Sequence, residues 1–464
     1  MTRYFGTDGV RGVVNKELTC ELAFALGVVA AETFKGRIIV GRDTRRSGAM
    51  LEAALISGIT AAGGDAMTAG IVPTPAVSYL MRAFEAAGGA VISASHNPPE
   101  YNGIKFFDAG GFKPSPELEE RIEKRLHELL ENKNTLEAAL AGSTEIGRVY
   151  PIPDAAERYI THALESITPR VENLKGLRVA VDCGHGAAAL TTPQALARLK
   201  AKVSSINTSF DGNDINVGCG STHLDQIKQL VAFSKADIGI AHDGDADRVI
   251  AIDAHGNEID GDFIEMICAC DLLERNALPD NTVVSTVMCN LGFTKAAAEQ
   301  GIKVVQTAVG DSNVLAAMRE GGYVLGGEQS GHMIFLEHNT TGDGLITALQ
   351  ILAIMKSQGK SLEELAQVMR KYPQELINVH LGKSKDEVAH IDLGEDTELA
   401  KSIAAIEEEL AEAGGGRVLV RPSGTEPLIR VMVEAATEAD AQKYASALAA
   451  EIQHRYGADA KDLS

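Results

Sequence analysis

With 464 residues, 45% of them hydrophobic and 23% charged, the chain has the composition of an ordinary soluble globular protein and the length of about two to four domains. A net charge of −21, aromatics at 5% and no tryptophan argue against nucleic acid as the main partner, because a polyanion would meet a repulsive field and few stacking platforms. The six cysteines are scattered without a C-x-x-C pair and no apolar run approaches the ~18 residues of a membrane span, so zinc, a disulfide framework and a membrane role are disfavoured and a cytoplasmic location is expected.

Short β-rich runs alternate with Ala- and Leu-rich helical stretches, which predicts α/β architecture with mainly parallel sheets. Gly6-Thr7-Asp8-Gly9-Val10-Arg11-Gly12 surrounds one arginine with three glycines, so backbone can approach an anion while Arg11 supplies charge. Arg37-Ile38-Ile39-Val40 reads as a strand and 49–62 as a helix; the loop between them, Gly41-Arg42-Asp43-Thr44-Arg45, offers an arginine to an anion or to a surface ion pair. The next strand, Gly89-Ala90-Val91-Ile92, ends in Ser93-Ala94-Ser95-His96-Asn97-Pro98. Pro98 and Pro99 stiffen this turn, which suits a nucleophile as well as a plain polar connection. Adjacent side chains in extended chain point apart, so Ser95 and His96 do not form a local pair, and the absence of G-x-S-x-G removes a hydrolase elbow. Lys105, inside Ile104-Lys105-Phe106-Phe107, either snorkels outward or is held in a cleft. Leu118, Ile122, Leu126, Leu129 and Leu130 recur at helical spacing and close a first domain, with 147–154 as a linker.

The alternation restarts at Leu177-Arg178-Val179-Ala180-Val181-Asp182, followed by Cys183-Gly184-His185-Gly186-Ala187 as a plain strand-to-helix turn. An apolar strand, Ile238-Gly239-Ile240-Ala241, then delivers Asp243, Asp245 and Asp247 at alternate positions with Arg248 beside them. Three hard oxygen ligands on one side suit magnesium; an EF-hand is excluded because Arg248 and Ala254 stand where that loop needs Gly and Glu. A third restart at Thr282-Val283-Val284-Ser285-Thr286-Val287 leads to the strand-end loops Thr307 to Asp311 and Gly326-Gly327-Glu328-Gln329-Ser330-Gly331-His332. Glu328 and Ser330, one residue apart, can both face a polyol. After Tyr372-Pro373 the pattern becomes α+β, with half-exposed strands and long helices over 396–413 and 438–456. Between two of those strands, Arg421-Pro422-Ser423-Gly424-Thr425-Glu426-Pro427 forms either a tight hairpin or a phosphate cup, with Arg430 as a second charge. The expected domains are 1–152, 153–253 and 254–370, all α/β, and a smaller α+β domain over 371–464, arranged around a central cleft.

Taken together and in this order, 93–98, 243–248, 326–332 and 421–427 resemble the four active-site loops of the α-D-phosphohexomutase superfamily. Within it, 6–12, Cys219-Gly220-Ser221-Thr222-His223 and Gly-Glu-Gln-Ser-Gly at 327–331 look like the phosphoglucosamine mutase subfamily, with phosphomannomutase/phosphoglucomutase relatives as the alternative. The resemblance implies an isomerase that interconverts sugar 6- and 1-phosphates through a phosphoserine at Ser95 and a sugar 1,6-bisphosphate, supplying precursors of amino-sugar nucleotides. It implies Mg²⁺ held by Ser95, Asp243, Asp245 and Asp247; Arg11, His96 and Lys105 as catalytic groups, Lys105 being preferred over His96 for proton transfer; Arg248, Thr307, Glu328 and Ser330 on the sugar; and Arg421, Ser423, Gly424, Thr425 and Arg430 on the phosphate that is not reacting. Sugar phosphates are the expected partners, without nucleic acid or membrane, and a homodimer stays open. Two rivals start from the same residues: a haloacid-dehalogenase phosphatase using Asp243 as nucleophile and Asp245 as acid, and a non-catalytic sugar-phosphate binder.

Overall fold

The computed structural model describes residues 4–6, 9–384, 387–388, 391, 393, 396–423 and 426–457. Thr7, Asp8, Gly424 and Thr425, named above in two of the loops, lie outside the described residues. The chain forms four sheets, of seven, five, four and three strands in chain order. They fall into two compact units, one made of 1–288 and 300–368, the other of 289–299 and 369–464. Among the described residues no helix is long and apolar enough to cross a membrane.

In the first sheet Gly88–Ile92, Arg37–Arg42 and Asp65–Ile71 run parallel, and Tyr101–Phe107 and Gly9–Val13 continue it antiparallel. Gly88–Ile92 is buried throughout because helices cover both faces of such a sheet, which is why it reads as one apolar run rather than an alternation. The segment expected to be a linker instead adds a strand, Val149–Pro151, parallel to Asp65–Ile71. It is an edge strand with all three residues exposed, the one place in a sheet where a proline lacking N–H is tolerated. The helix Pro116–Glu131 buries Ile122, Leu126 and Leu129, as their spacing predicts.

The second sheet places Ile238–His242 between parallel Arg178–Asp182 and antiparallel Val249–Asp253. The hairpin joining it to Val249–Asp253 holds the three aspartates. In the third sheet Lys303–Thr307, Thr282–Thr286 and Leu325–Gly327 are parallel, and Leu325–Gly327 turns back into Met333–Phe335. The loop Gly326–His332 is thus a hairpin tip. The second unit is an antiparallel sheet, Gln374–His380, Leu428–Ala435 and Gly416–Pro422, with the helices Thr397–Glu412 and Glu438–Tyr456. Leu399, Leu410, Tyr444, Leu448 and Ile452 from these helices pack with the sheet's Val431 and Val433 in one core.

Candidate active site

The strand Gly88–Ile92 ends at Ser93, and two residues later the backbone of Ser95 enters the left-handed region, with φ of 51°. For a residue with a Cβ this costs about 1–2 kcal/mol, so the surroundings must hold it there. Ser95 is buried, and its Oγ donates to Asp243 Oδ2 at 2.6 Å. Asp243, Asp245 and Asp247 each present a ligand oxygen, all within 4.8 Å of one another. The turn that gathers them is tight: Ala246 also has positive φ, at 55°, and Gly344 N–H donates to its carbonyl at 3.0 Å.

Such a cluster is unfavourable without a cation. Burial, then the charges of Asp247 and Asp245, push Asp243 well above the usual carboxylate range. Burial also opposes the charge on Asp247, but His332, Lys105 and Arg248 outweigh it and hold that group below its ordinary value. One oxygen of Asp245 accepts from Thr74 Oγ1 at 2.7 Å and from Lys105 Nζ at 3.1 Å. The other, Oδ1, and Oδ1 of Asp247 are buried without a hydrogen-bond partner among the described residues. Two open carboxylate oxygens, a third carboxylate and the Ser95 hydroxyl make an all-oxygen donor set that fits Mg²⁺.

Basic groups surround it. Lys105, expected either outside or in a cleft, is buried here, 4.0 Å from Asp247 as well as paired with Asp245. Arg248 donates its backbone N–H to Asp243 Oδ1 at 3.2 Å, and its Nη1 lies 3.1 Å from His96 Nδ1. Burial, Arg248 and Arg11 together lower the His96 pKa to about 4, so the ring is neutral and points to Arg248 rather than to Ser95. Arg11 reaches across to Asn97 Oδ1 at 2.9 Å.

The hairpin tip 328–332 docks directly on the loop of the three aspartates. Val249 N–H donates to Gly331 O at 3.1 Å, and Arg248 and His332 form a backbone bridge. Gly331 has φ of 89°, and a Cβ there would stand 2.1 Å from Val249 O, so only glycine fits. Glu328 Oε1 accepts from Gly310 N at 3.2 Å, while Ser330 Oγ lies 3.5 Å from Glu328 Oε2, so the two side chains stay adjacent. Thr307 ends its strand nearby in sequence and donates to Ala308 O at 3.0 Å.

Two residues of this site carry no role in the sequence reading. His332 lies with Nδ1 3.6 Å from Asp247 and Nε2 3.6 Å from Asp311. Burial works against its charge, but these carboxylates and Glu328 raise its pKa to about 9. It closes the Gly-rich run 326–332, a position that could have drawn notice. Thr74, flanked by Pro73 and Pro75 at a helix start, carries a similar faint signal.

In the second unit Arg421 and Arg430 are cross-strand partners, and Ser423 N–H closes the hairpin on Leu428 O at 2.9 Å. Directly opposed like charges are unfavourable, and burial together with Arg430 lowers the Arg421 pKa. The Nε atoms of both arginines are buried without a partner among the described residues. Arg430 Nη2 donates to Glu426 at 3.1 Å. An anion between two such guanidiniums would relieve the repulsion.

Comparison with known proteins gives the family. Family models for phosphoglucomutase/phosphomannomutase match over the chain: alpha/beta/alpha domain I at residues 2–133, domain II at 157–256, domain III at 260–372 and the C-terminal domain at 376–451. The phosphoglucosamine mutase of Clostridium novyi (strain NT) is 48% identical over 464 residues, covering 99% of this chain and all of that protein. That of Thermobifida fusca (strain YX) is 49% identical, covering 97% of this chain and 98% of its own. Among solved structures, a phosphoglucomutase/phosphomannomutase family protein from Burkholderia thailandensis superposes with a TM-score of 0.78 at 24% identity, covering 97% of this chain and 98% of that one. Aspergillus fumigatus N-acetylphosphoglucosamine mutase, in complex with GlcNAc-6P and magnesium, gives 0.69 at 19%, covering 98% and 96%. The chain is an enzyme of the phosphohexomutase superfamily and belongs to its phosphoglucosamine mutase family.

Proposed function

We propose that this enzyme interconverts glucosamine 6-phosphate and glucosamine 1-phosphate, with Ser95 carrying the phosphoryl group and a glucosamine 1,6-bisphosphate as intermediate. The seat of the Ser95 hydroxyl on Asp243, inside a cluster of three carboxylates with open oxygens, carries the reading. In the forward half-reaction the bond from phosphorus to Ser95 Oγ breaks as a bond to the free sugar hydroxyl forms, and that hydroxyl loses its proton. In the return half-reaction the other phosphate of the bisphosphate passes to Ser95 and the product monophosphate leaves.

Asp243, Asp245 and Asp247 would hold Mg²⁺ together with Ser95, and the ion when bound would offset charge on the phosphoryl oxygens. Arg248 faces the same oxygens with fixed positive charge, Lys105 stands against Asp245, and Arg11 aligns the loop through Asn97. Lys105, in its neutral form, is better placed than His96 to take that proton, since His96 Nδ1 already takes the Arg248 guanidinium. Glu328, Ser330 and Thr307 bind sugar hydroxyls in either orientation, and Arg421, Ser423, Gly424, Thr425 and Arg430 take the phosphate that is not reacting. A phosphatase using Asp243 as nucleophile does not account for Ser95, which occupies Asp243 Oδ2.

The test measures kcat/KM for glucosamine, glucose and mannose phosphates with the matching 1,6-bisphosphate present, together with intact mass after incubation with the bisphosphate. Preference for glucosamine phosphate and one phosphoryl group mapped to Ser95 are expected. A preference for mannose phosphate overturns the sugar, and hydrolysis with no group retained at Ser95 overturns the mutase mechanism.

A further inference from the structure

Arg45 is among the largest fully buried side chains of the protein. Its Nη2 donates to Ser95 O at 3.0 Å and to Asn97 O at 2.7 Å, and its Nη1 to Pro98 O at 2.5 Å and to Tyr101 O at 3.0 Å. Its Nε donates to Asp43 Oδ2 at 3.0 Å. A guanidinium has five N–H donors in a planar fork, and all five are matched. Asp43 Oδ2 also accepts from Ser93 Oγ at 2.6 Å, and Ser93 Oγ accepts from Ser95 N at 2.9 Å. Asn216 Nδ2, from the second sheet's domain, adds donors to Ser95 O at 2.8 Å and Asn97 O at 3.2 Å. The backbone of Ser95 is therefore gripped at both its N–H and its carbonyl, at the residue whose φ is 51°.

We propose that Arg45, with Asp43, Ser93 and Asn216, is the positioning device of the phosphoryl carrier. Arg45 touches neither the serine hydroxyl nor a ligand oxygen. It writes the path of the backbone from 95 to 101, and that path sets where Ser95 Oγ points. The inference rests on Ser95 being the carrier. Its effect belongs to the chemical step, since none of these groups belongs to the sugar or phosphate loops. A lysine would keep the charge beside Asp43 but has one nitrogen with three donors, which cannot span four carbonyls.

Arg45→Lys is purified, its thermal unfolding recorded, and its transfer rate normalised to the fraction that accepts a phosphoryl group from glucosamine 1,6-bisphosphate at Ser95, read by intact mass. A misplaced nucleophile lowers kcat per titrated site by roughly 100-fold while KM stays within about threefold. In Arg45→Ala, added guanidinium ion restores part of the lost kcat. A residue that merely stabilises the fold would reduce the titratable fraction and leave kcat per site unchanged, which overturns the proposal; so does a loss confined to KM. Should the buried lysine prevent folding, Asn216→Ala decides by the same split, with roughly a tenfold fall in kcat expected. Wild-type enzyme that never retains a phosphoryl group on Ser95 sinks the carrier assignment and this inference with it. Retention with unimpaired variants sinks only the positioning role.

Discussion

The loop of Ser95 and the hairpin of Arg421 are both short, strand-end turns built from hydroxyl residues, prolines and a nearby arginine, and they are finished in opposite ways. Around Ser95 the polar groups are closed: Arg45 spends every donor on backbone carbonyls and Asp43, and Ser93 and Asn216 complete the frame. In the hairpin Arg421 and Arg430 face each other across the strands with both Nε atoms buried and without a partner among the described residues. A group that makes and breaks bonds has to be held in one place, because misplacement by an ångström costs rate steeply. A group that receives first one phosphate and then the other needs open donors instead. The same residue types therefore produce a closed frame in one region and, under the proposed function, an adaptable cup in the other.

Emptying the metal loop tests the fixed point most severely. Asp247→Asn replaces an open carboxylate oxygen with an amide, and kcat should fall by roughly 100- to 1,000-fold with KM little changed. Treatment with a chelator should abolish turnover, and Mg²⁺ should restore it. Full turnover in the chelated enzyme would break the assignment of this cluster.

Arg421→Ala tests the cup. Loss of a charge-assisted phosphate contact of about 1.5–3 kcal/mol should raise KM for the sugar phosphate by roughly 10- to 100-fold, with a smaller change in kcat. A kcat defect at unchanged KM would make the hairpin part of the fixed machinery and erase the contrast.

The contrast also explains which parts could be read from the chain. Buried strands were legible as apolar runs, and the loops at 93–98, 243–248, 326–332 and 421–427 were legible because each carries its chemistry within a few consecutive residues. The frame around them was not. Arg45 meets Ser95 from 50 residues away, Asn216 from 121, and Thr74 meets Asp245 from 171, so beyond the prolines that flank Thr74 little local marks any of them. The sequence offers Arg45, like Arg42, as a loop arginine for an anion or a surface ion pair, whereas it is buried and serves carbonyls. The strand Val149–Pro151 was hidden by its proline and by having no buried face.

Glu265 extends the idea of closure to the hairpin tip 328–332. It lies on the helix Gly261–Glu274, whose Gly261 N–H donates to Gln329 O at 3.0 Å and whose Asp262 accepts from the Gln329 amide at 3.1 Å. Burial, and then the Asp262 charge, push the Glu265 carboxyl well above its ordinary value, and the Ser285 hydroxyl does not offset them. Its folded pKa thus exceeds the unfolded value of about 4.3, and the native state holds a proton that the unfolded chain gives up. The stability tied to that proton is complete below the unfolded pKa and is lost as pH rises toward the folded one. Glu265→Gln carries no such proton, so its thermal midpoint should gain on wild type as pH rises above about 4. A difference independent of pH would show that Glu265 is ionised in the folded protein.

The smallest effect is expected three residues from the largest buried cation. Arg42 belongs to the same loop as Arg45 but pairs with Glu52 at 2.9 Å, with 20% and 15% of the two side chains exposed. A single ion pair that solvent still reaches contributes about 0.2–1 kcal/mol. Arg42→Ala should therefore shift the thermal midpoint by no more than about 4 °C and leave kcat within about twofold of wild type. If Arg42→Ala impairs the chemical step while the charge-keeping Arg45→Lys does not, the loop acts through its positive charge. If only Arg45→Lys does, what matters is a guanidinium whose donors are all committed to the backbone that carries Ser95.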